Sequence, residues 1–200
     1  SVTTIQNVLA KPALESWKID QHLLTTYHND PSLYQTLESY IAEMKFLTEV
    51  NLDKAPSAGT DFHASLEAFY CGKLPTIDPD YGLCCEVAEV IADKTGLKST
   101  QDWVTERLFM GDGYGGMIDL STPERITEHW VIDFKSKQFA EKFKPGKMAY
   151  DDHRMQLAAY REGAGLPNAR CCNVFICLED GQIDFHEHKE SDLQKGFALF

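Results

Sequence analysis

The spacing of apolar residues changes along the chain and indicates two kinds of secondary structure. In roughly the first hundred residues, apolar side chains recur every three or four positions, which is the spacing of one helix face. From Asp102 onward, short β-prone runs alternate with glycine-rich or polar turns. The pattern predicts a helical N-terminal part followed by a mixed α/β part. One helical stripe consists of Leu33, Leu37, Tyr40, Ile41 and Met44.

The N-terminal part is predicted to contain helices separated by breaks. Residues 51–58, NLDKAPSA, are rich in turn formers and are expected to form a loop before a helix capped by Thr60. Gly96 is expected to end the last helix of this part. The predicted helices run from about Thr4 with a break at Pro12, from Asp20 to Leu47, from Asp61 to about Cys71, and from Leu83 to Lys94.

The C-terminal part is predicted to begin with three strands. Two of them, in DWVTERLFM and GMIDLST, flank the turn cluster GDGYGG and should form a hairpin, and the third lies in HWVIDFKSK. A helix with Asp152 as its candidate cap is expected to extend through Arg161. Strands at about 171–178 and 183–188, and a helix capped by Ser191, complete this part.

Acidic residues interrupt two of the strand-like runs. Asp119 lies in GGMIDL, and Asp133 lies in WVIDFKSK. Because strand residues two apart share a face, Asp133 and Lys135 should project together while Ile132 and Phe134 face a core. Two carboxylates on neighbouring strands with a lysine alongside are suited to a hard divalent cation and to charge on a phosphate.

Four motifs in sequence order resemble those of the PD-(D/E)XK nuclease superfamily. They are Gly59-Thr60-x-x-His63-x-x-x-Glu67, Gly116-x-x-Asp119, Asp133-x-Lys135 and Gln156-x-x-x-Tyr160. The last motif is similar to a helix of the RecB-like exonuclease branch, which includes phage-type, CRISPR-associated and mitochondrial-genome-maintenance-like exonucleases. The resemblance implies an α/β fold with a restriction-endonuclease-like core, a mixed sheet in α-β-β-β-α-β order, and extra N-terminal helices.

The resemblance also implies roles for individual residues. His63, Asp119, Asp133 and the backbone carbonyl of Phe134 would hold one or two Mg²⁺ or Mn²⁺ ions. Lys135 would orient the attacking water or neutralise charge on the phosphate. Residues that share a helix face at i and i+4 would contact the nucleotide, through hydrogen bonds or stacking; these are Gln156 and Tyr160.

Two further acids have open interpretations. Glu67 follows His63 by one helical turn, so it either takes part in the metal site or is only a polar neighbour. Glu106 should lie on a strand next to Asp119, where it either supports the metal site or is an exposed edge residue.

The net charge of −12 argues against a nucleic-acid enzyme, but its distribution is uneven. Between Phe134 and Arg161 there are seven basic and three acidic residues, a balance of +4, so the remainder carries −16. A basic segment beside the proposed site suits contact with a phosphate backbone. Besides Lys135, its candidate contacts are Lys137, Lys142, Lys144, Lys147, Arg154 and Arg161.

Composition is that of an ordinary globular protein, with 43% hydrophobic and 25% charged residues. Two hundred residues suit a single nuclease domain with a helical elaboration at 1–58, a catalytic core at 59–190 and a C-terminal helix at 191–200. No apolar run approaches the length of a membrane span, and no signal-like start is present, so we expect an intracellular protein with no membrane partner.

The six cysteines are interpreted as structural. Cys171, Cys172 and Cys177 lie in the strand-like run CCNVFICL, where a free cysteine is commonly a small buried hydrophobe. Some RecB-like nucleases carry an iron–sulfur cluster, but we expect none here. His186 and His188 alternate on the last strand and are interpreted as surface residues.

The sequence therefore predicts a metal-dependent DNA nuclease that hydrolyses phosphodiester bonds. The resemblance implies an exonuclease acting on single- or double-stranded DNA with a free end, and it allows an oligomer or a recombination-protein partner. The alternative is a non-catalytic module on the same fold that binds nucleic acid or, given the charge of −12, acts as an acidic protein-interaction module.

Overall fold

The computed structural model describes Val2, residues 12–137 and residues 140–200, without the side chains at 12–15, 17, 50–58 and 142. The chain forms two compact units: the first lies within residues 9–60, and the second consists of residues 61–200 together with Val2. Each candidate site residue named above lies in the second unit. The predicted start of a helix at Thr4 falls outside the described residues.

The first unit is helical. Helix α1 spans Pro12–His28, a short 3-10 turn spans Pro31–Leu33, and helix α2 spans Leu37–Tyr70 and continues into the second unit. The Tyr40 hydroxyl donates to backbone oxygens near the end of α1, at 3.2 Å from Thr26 and 3.3 Å from Asn29. The predicted apolar stripe is only partly buried, because Met44 is buried whereas Leu33 is 79% exposed.

The predicted loop at 51–58 is wrong, because these residues lie inside α2. An internal proline such as Pro56 removes one backbone hydrogen bond and costs about 3 kcal/mol. That cost is local, and a helix of 34 residues keeps its hydrogen bonds on both sides of the proline. Thr60 is therefore an interior helical residue rather than an N-cap.

The second unit contains a five-stranded mixed sheet with strand order β1-β2-β3-β4-β5. Strands β3 and β4 are parallel and the other neighbouring pairs are antiparallel. The protein is thus α/β, as predicted. The elements are α3 Tyr81–Thr95, β1 Val104–Met110, β2 Gly115–Ser121, β3 Trp130–Lys137, α4 Asp151–Gly163, β4 Arg170–Cys177, β5 Ile183–Glu187 and α5 Glu190–Leu199, with 3-10 turns at Thr100–Asp102 and Ala140–Lys142.

The predicted end of α3 agrees with the structure, whereas the predicted starts of α4 and α5 differ from it. Gly96 ends α3 in the left-handed conformation, at φ 76°, as predicted. Helix α4 begins at Asp151, before the predicted cap Asp152, and His153 Nδ1 accepts a hydrogen bond of 3.2 Å from the Tyr150 N–H. Helix α5 begins at Glu190, so the predicted cap Ser191 lies inside it; the Lys189 carbonyl already accepts helical hydrogen bonds from Asp192 and Leu193.

The sheet separates two apolar clusters. On one face Trp130, Ile132 and Phe134 of β3 pack with residues of α2 and α3 such as Leu66 and Ile91. On the other face, Val131 and Cys171 pack with Leu157, Ala158 and Ala159 of α4. The predicted burial of Cys171, Cys172 and Cys177 is confirmed.

Candidate active site

Asp119 lies where β2 separates from β3. The register pairs Leu120 with Ile132 and Ser121 with Val131. At the next residue, Asp119 Oδ2 accepts a hydrogen bond of 2.8 Å from the Phe134 N–H. The side chain thus takes the place that a strand carbonyl would otherwise occupy, and this contact fixes the carboxyl group against β3.

The same point of β2 is distorted towards its other neighbour. Ile118 and Leu120, which would share one face of a regular strand, belong to the clusters on opposite faces. Across the hairpin, Glu106 has a φ of 47°, which is uncommon for a residue with a side chain. The break in alternation turns the Asp119 carboxyl group towards α2, where His63 lies.

A cavity of about 30 Å³ opens beside Asp119, which is room for a water molecule. His63 Nδ1 lies 3.9 Å from Asp119 Oδ2. Both acids whose interpretation was open, Glu67 and Glu106, border this cavity, and Glu106 is also exposed. The complete lining is His63, Leu66, Glu67, Tyr70, Thr105, Glu106, Asp119 and Phe134.

Burial and neighbouring charge make ionisation of Asp119 unfavourable. Burial, and secondly the charge of Asp133, raises the pKa of Asp119 to about 7, against an opposing effect of the Phe134 N–H. Burial also lowers the pKa of His63, with Asp133 opposing that shift. His63 is therefore favoured as neutral imidazole, which is the form that binds metals. A cation beside these groups would relieve the repulsion between the two carboxylates.

Asp133 is buried and well supplied with hydrogen-bond donors. Its Oδ2 lies 2.7 Å from Lys135 Nζ and 2.7 Å from the amide nitrogen Nδ2 of Asn173 on β4. Burial alone would lower the pKa of Lys135, but the charge of Asp133 and the hydrogen bond to it outweigh burial and raise that pKa. Lys135 is therefore held protonated beside the Asp133 carboxyl group, and the two side chains project together as the strand spacing predicted.

The structure brings Gln156 of α4 to the same lysine and brings Tyr160 to Gln156. Lys135 Nζ donates to Gln156 Oε1 at 3.0 Å, and Gln156 Nε2 donates to the Tyr160 hydroxyl at 2.6 Å. Tyr160 is 95% buried, its ring packs edge-on against Phe109 at 5.6 Å, and burial raises its pKa. The prediction that a nucleotide stacks on Tyr160 is therefore wrong, because the ring is enclosed in the core.

Sequence reasoning missed Asn173 and misplaced His188. Asn173 is fully buried, and His188, interpreted as a surface residue, is 7% exposed. His188 Nε2 lies 2.7 Å from Asn173 Oδ1. The available signal was one amide within the otherwise apolar run CCNVFICL, since a polar residue buried in a strand needs a partner.

The donor types suit a divalent cation, but the ligands are not preassembled. Two carboxylates and a neutral imidazole are ligands that Mg²⁺ or Mn²⁺ accept in proteins. Among the residues described, however, no group of three or more His, Cys, Asp or Glu side chains has a metal-binding arrangement. The fit thus rests on donor chemistry and on the charge repulsion at Asp119, and the role of the Phe134 carbonyl stays a prediction.

The predicted nucleic-acid contacts fall into two environments. Lys144 and Lys147 are exposed in the loop between the 3-10 turn at Ala140–Lys142 and α4. Lys137 is half-buried, and burial lowers its pKa. Arg154 is half-buried and pairs with Asp151 at 3.1 Å. The side chain of Lys142 lies outside the description.

Arg161 is a structural residue, which corrects its predicted role. It is 3% exposed, and its guanidinium pairs with Glu190 of α5 at 2.6 and 3.1 Å. The hydrogen bond that Arg161 donates to Glu190 is the main reason that the pKa of Arg161 is raised. A buried, paired guanidinium connects α4 to α5 and is unsuited to contacting a phosphate backbone.

Comparison with known proteins gives little further information. No family profile and no curated protein matches the chain. A crystal structure of a "putative exonuclease" from Eubacterium rectale matches with a TM-score of 0.47 and 12% identity, covering 70% of this chain and 62% of that one. The crystal structure of SSO0001 matches with a TM-score of 0.31 and 16% identity, covering 60% and 61%. This chain spans less than two thirds of either protein, and similarities this low assign neither its fold nor its activity.

Within residues 12–137 and 140–200, no helix is both long and apolar enough to cross a bilayer.

Proposed function

We propose that the chain is a metal-dependent nuclease that hydrolyses phosphodiester bonds in DNA. The observation that carries this proposal is the placement of a protonated Lys135 on buried Asp133, next to a second carboxyl group, Asp119, whose ionisation Asp133 opposes. When both groups are ionised, Lys135 balances one of the two negative charges, and a bound cation would balance the other.

Each residue then has a defined task. A divalent cation held by Asp119, Asp133 and His63 would polarise the scissile phosphate and acidify the attacking water. Lys135 Nζ keeps its proton and offers positive charge to the developing phosphorane oxygens. Gln156 Oε1 holds the ammonium group in position, and its own amide is held by Tyr160.

The substrate proposal rests on charge and on the motif resemblance. The exposed lysines 144 and 147 precede α4, the helix that carries Gln156, so they suit contact with phosphates that flank the scissile bond. The preference for a free end, and therefore exonuclease action, comes from the resemblance of the Gln-x-x-x-Tyr motif to the RecB-like branch.

The test is a time course on end-labelled single- and double-stranded DNA with Mn²⁺, with Mg²⁺ and with chelator. We expect digestion with either metal, none with chelator, and a loss of at least about 10³-fold in rate for Asp133→Asn. The matched control is Asp93→Asn, which removes the same charge from an exposed site on α3 and should digest like the parent. Product lengths report whether cleavage starts at an end.

Two results would overturn the proposal: a parent protein no faster with metal than with chelator, or Asp133→Asn as fast as the parent. Retention of labelled DNA without shortening would instead favour a binding module. That second candidate is favoured by the lack, among described residues, of a preassembled three-ligand cluster.

A further inference from the structure

A buried histidine, His188, is connected to the candidate site through Asn173, which contacts Asp133. His188 follows β5, and its Nε2 lies 2.7 Å from Asn173 Oδ1. Burial lowers the pKa of His188 to about 4, so its ring is neutral near pH 7. The ring also packs edge-on against His186, with centroids 4.7 Å apart.

The chemistry of the contact fixes which way the Asn173 amide points. The amide has one end that donates and one that accepts. Its Nδ2 faces Asp133 Oδ2 at 2.7 Å, an arrangement that a flipped amide would replace with two opposed oxygens. With Nδ2 towards Asp133, Oδ1 faces His188, so Nε2 must carry the proton and donate it.

Strand pairing explains why this chain of contacts is rigid. Asp133 and Asn173 are direct partners in the parallel β3–β4 register. Both side chains are at least 98% buried. The amide therefore cannot turn towards water without losing two hydrogen bonds, and the cost of an unpaired buried polar group opposes the rotation.

We propose that Asn173 and His188 are positioning residues, with His188 locking the Asn173 amide so that its N–H holds Asp133 Oδ2 in one orientation for metal binding. The inference rests on the proposed function, since it gives Asp133 a ligand's task. Groups that orient a metal ligand in this way commonly change metal affinity or activity by about 10- to 100-fold when removed.

The experiment measures Mn²⁺ affinity by calorimetry on the full chain without DNA. His188→Phe keeps an aromatic ring and removes the donor, and we expect about tenfold weaker Mn²⁺ binding. His188→Gln keeps an N–H at a similar reach and should restore affinity to within about threefold of the parent. His22→Phe is the matched control, because it makes the same change at an exposed position of α1, and it should bind Mn²⁺ like the parent.

Kinetics separate positioning from a merely structural role. In the digestion assay, His188→Phe should lower kcat and leave the KM for DNA unchanged, and His188→Gln should recover kcat. Equal Mn²⁺ affinity in the parent and His188→Phe, or failure of His188→Gln to differ from His188→Phe, overturns the inference. If His188→Phe does not fold, His188→Leu takes its place.

A metal-free readout distinguishes failure of this inference from failure of the proposed function. A parent that neither binds Mn²⁺ nor digests DNA refutes the nuclease. The coupling between His188 and Asp133 is then tested by the free energies of unfolding in urea, with chelator present. The variants compared are Asp133→Asn, His188→Phe and the double variant. Non-additive changes support the link between His188 and Asp133, and additive changes overturn it.

Discussion

The two acids of the candidate site lie on neighbouring strands but in opposite circumstances. Asp133 on β3 is buried among donors, with Lys135 and Asn173 on the same oxygen. Asp119 on β2 has one backbone donor, lies beside a neutral histidine and borders a cavity. Groups of the protein itself stabilise a negative charge on Asp133. Burial and the neighbouring Asp133 instead disfavour the ionised form of Asp119.

The two acids are therefore expected to have different roles, one in stabilising the fold and the other in responding to a bound cation. A residue whose partners are complete stabilises the fold whether or not a ligand is bound. A residue whose ionised form is disfavoured stabilises the fold only when its charge is removed or neutralised. We therefore expect the Asp133 region to set the geometry of the site, and the Asp119 region to respond to an added cation.

The largest expected effect on folding is the loss of the Asp133 charge. In chelator at pH 8, Asp133→Asn should lower the free energy of unfolding by about 2 kcal/mol, because it leaves the ammonium of Lys135 without its partner. The figure is below that for a fully buried pair, since Lys135 keeps 26% of its side-chain exposure. Urea unfolding measures the change, with Asp93→Asn as the control. An unchanged midpoint would mean that Asp133 is not satisfied by its neighbours.

The second effect should have the opposite sign. Asp119→Asn in chelator should stabilise the protein by about 1 kcal/mol at pH 8, because it removes a charge that burial disfavours and keeps an oxygen for the Phe134 N–H. The folded pKa of about 7 lies above the ordinary value of 3.8. Below pH 4 the carboxyl group of Asp119 is protonated in both the folded and the unfolded state, so burial costs the parent nothing there. The free energy of unfolding of the parent then falls as the pH rises from about 4 to 7.

The pH profile tests that sign. The advantage of Asp119→Asn should be absent below pH 4, grow between pH 4 and 7, and stay level above. Saturating Mn²⁺ should reduce or reverse the advantage of the variant. The parent can bind the cation through the Asp119 carboxylate, which the variant lacks. Destabilisation by Asp119→Asn in chelator at pH 8 would show that the charge of Asp119 stabilises the fold as the charge of Asp133 does, and would contradict the distinction between the two acids.

The smallest effect compares two buried tyrosines. The Tyr160 hydroxyl accepts from Gln156, so Tyr160→Phe should lower the free energy of unfolding by about 1 kcal/mol. The Tyr70 hydroxyl, in a residue that borders the cavity, has no hydrogen-bond partner within the described chain, so Tyr70→Phe should be neutral or slightly stabilising. Thermal or urea unfolding of the pair decides it, and equal losses would contradict the distinction.

Strand positions could be predicted because their signals are local. The hairpin turn, the acids within β-prone runs and the i, i+2 relation of Asp133 and Lys135 follow from alternation of side chains. The contact between Gln156 and Lys135 was not predicted, since i, i+4 spacing places Gln156 with Tyr160 and says nothing about the strand opposite.

Long-range contacts could not be predicted in the same way. Arg161 was expected at the phosphate backbone because it is basic and close in sequence to other basic residues, but its partner Glu190 lies 29 residues away. Asn173 and His188 meet only because β4 and β5 pair. The error at 51–58 has a different cause, because a helix of 34 residues accommodates turn formers such as Pro56 that would break a shorter one.

The left-handed backbone at Glu106 has a consequence for engineering. A side chain in that conformation costs about 1 kcal/mol, and glycine or asparagine would relieve it. A screen for heat tolerance would therefore tend to select those replacements and delete an acid at the mouth of the cavity. At position 106, a gain in thermal stability and the retention of the carboxylate therefore exclude each other.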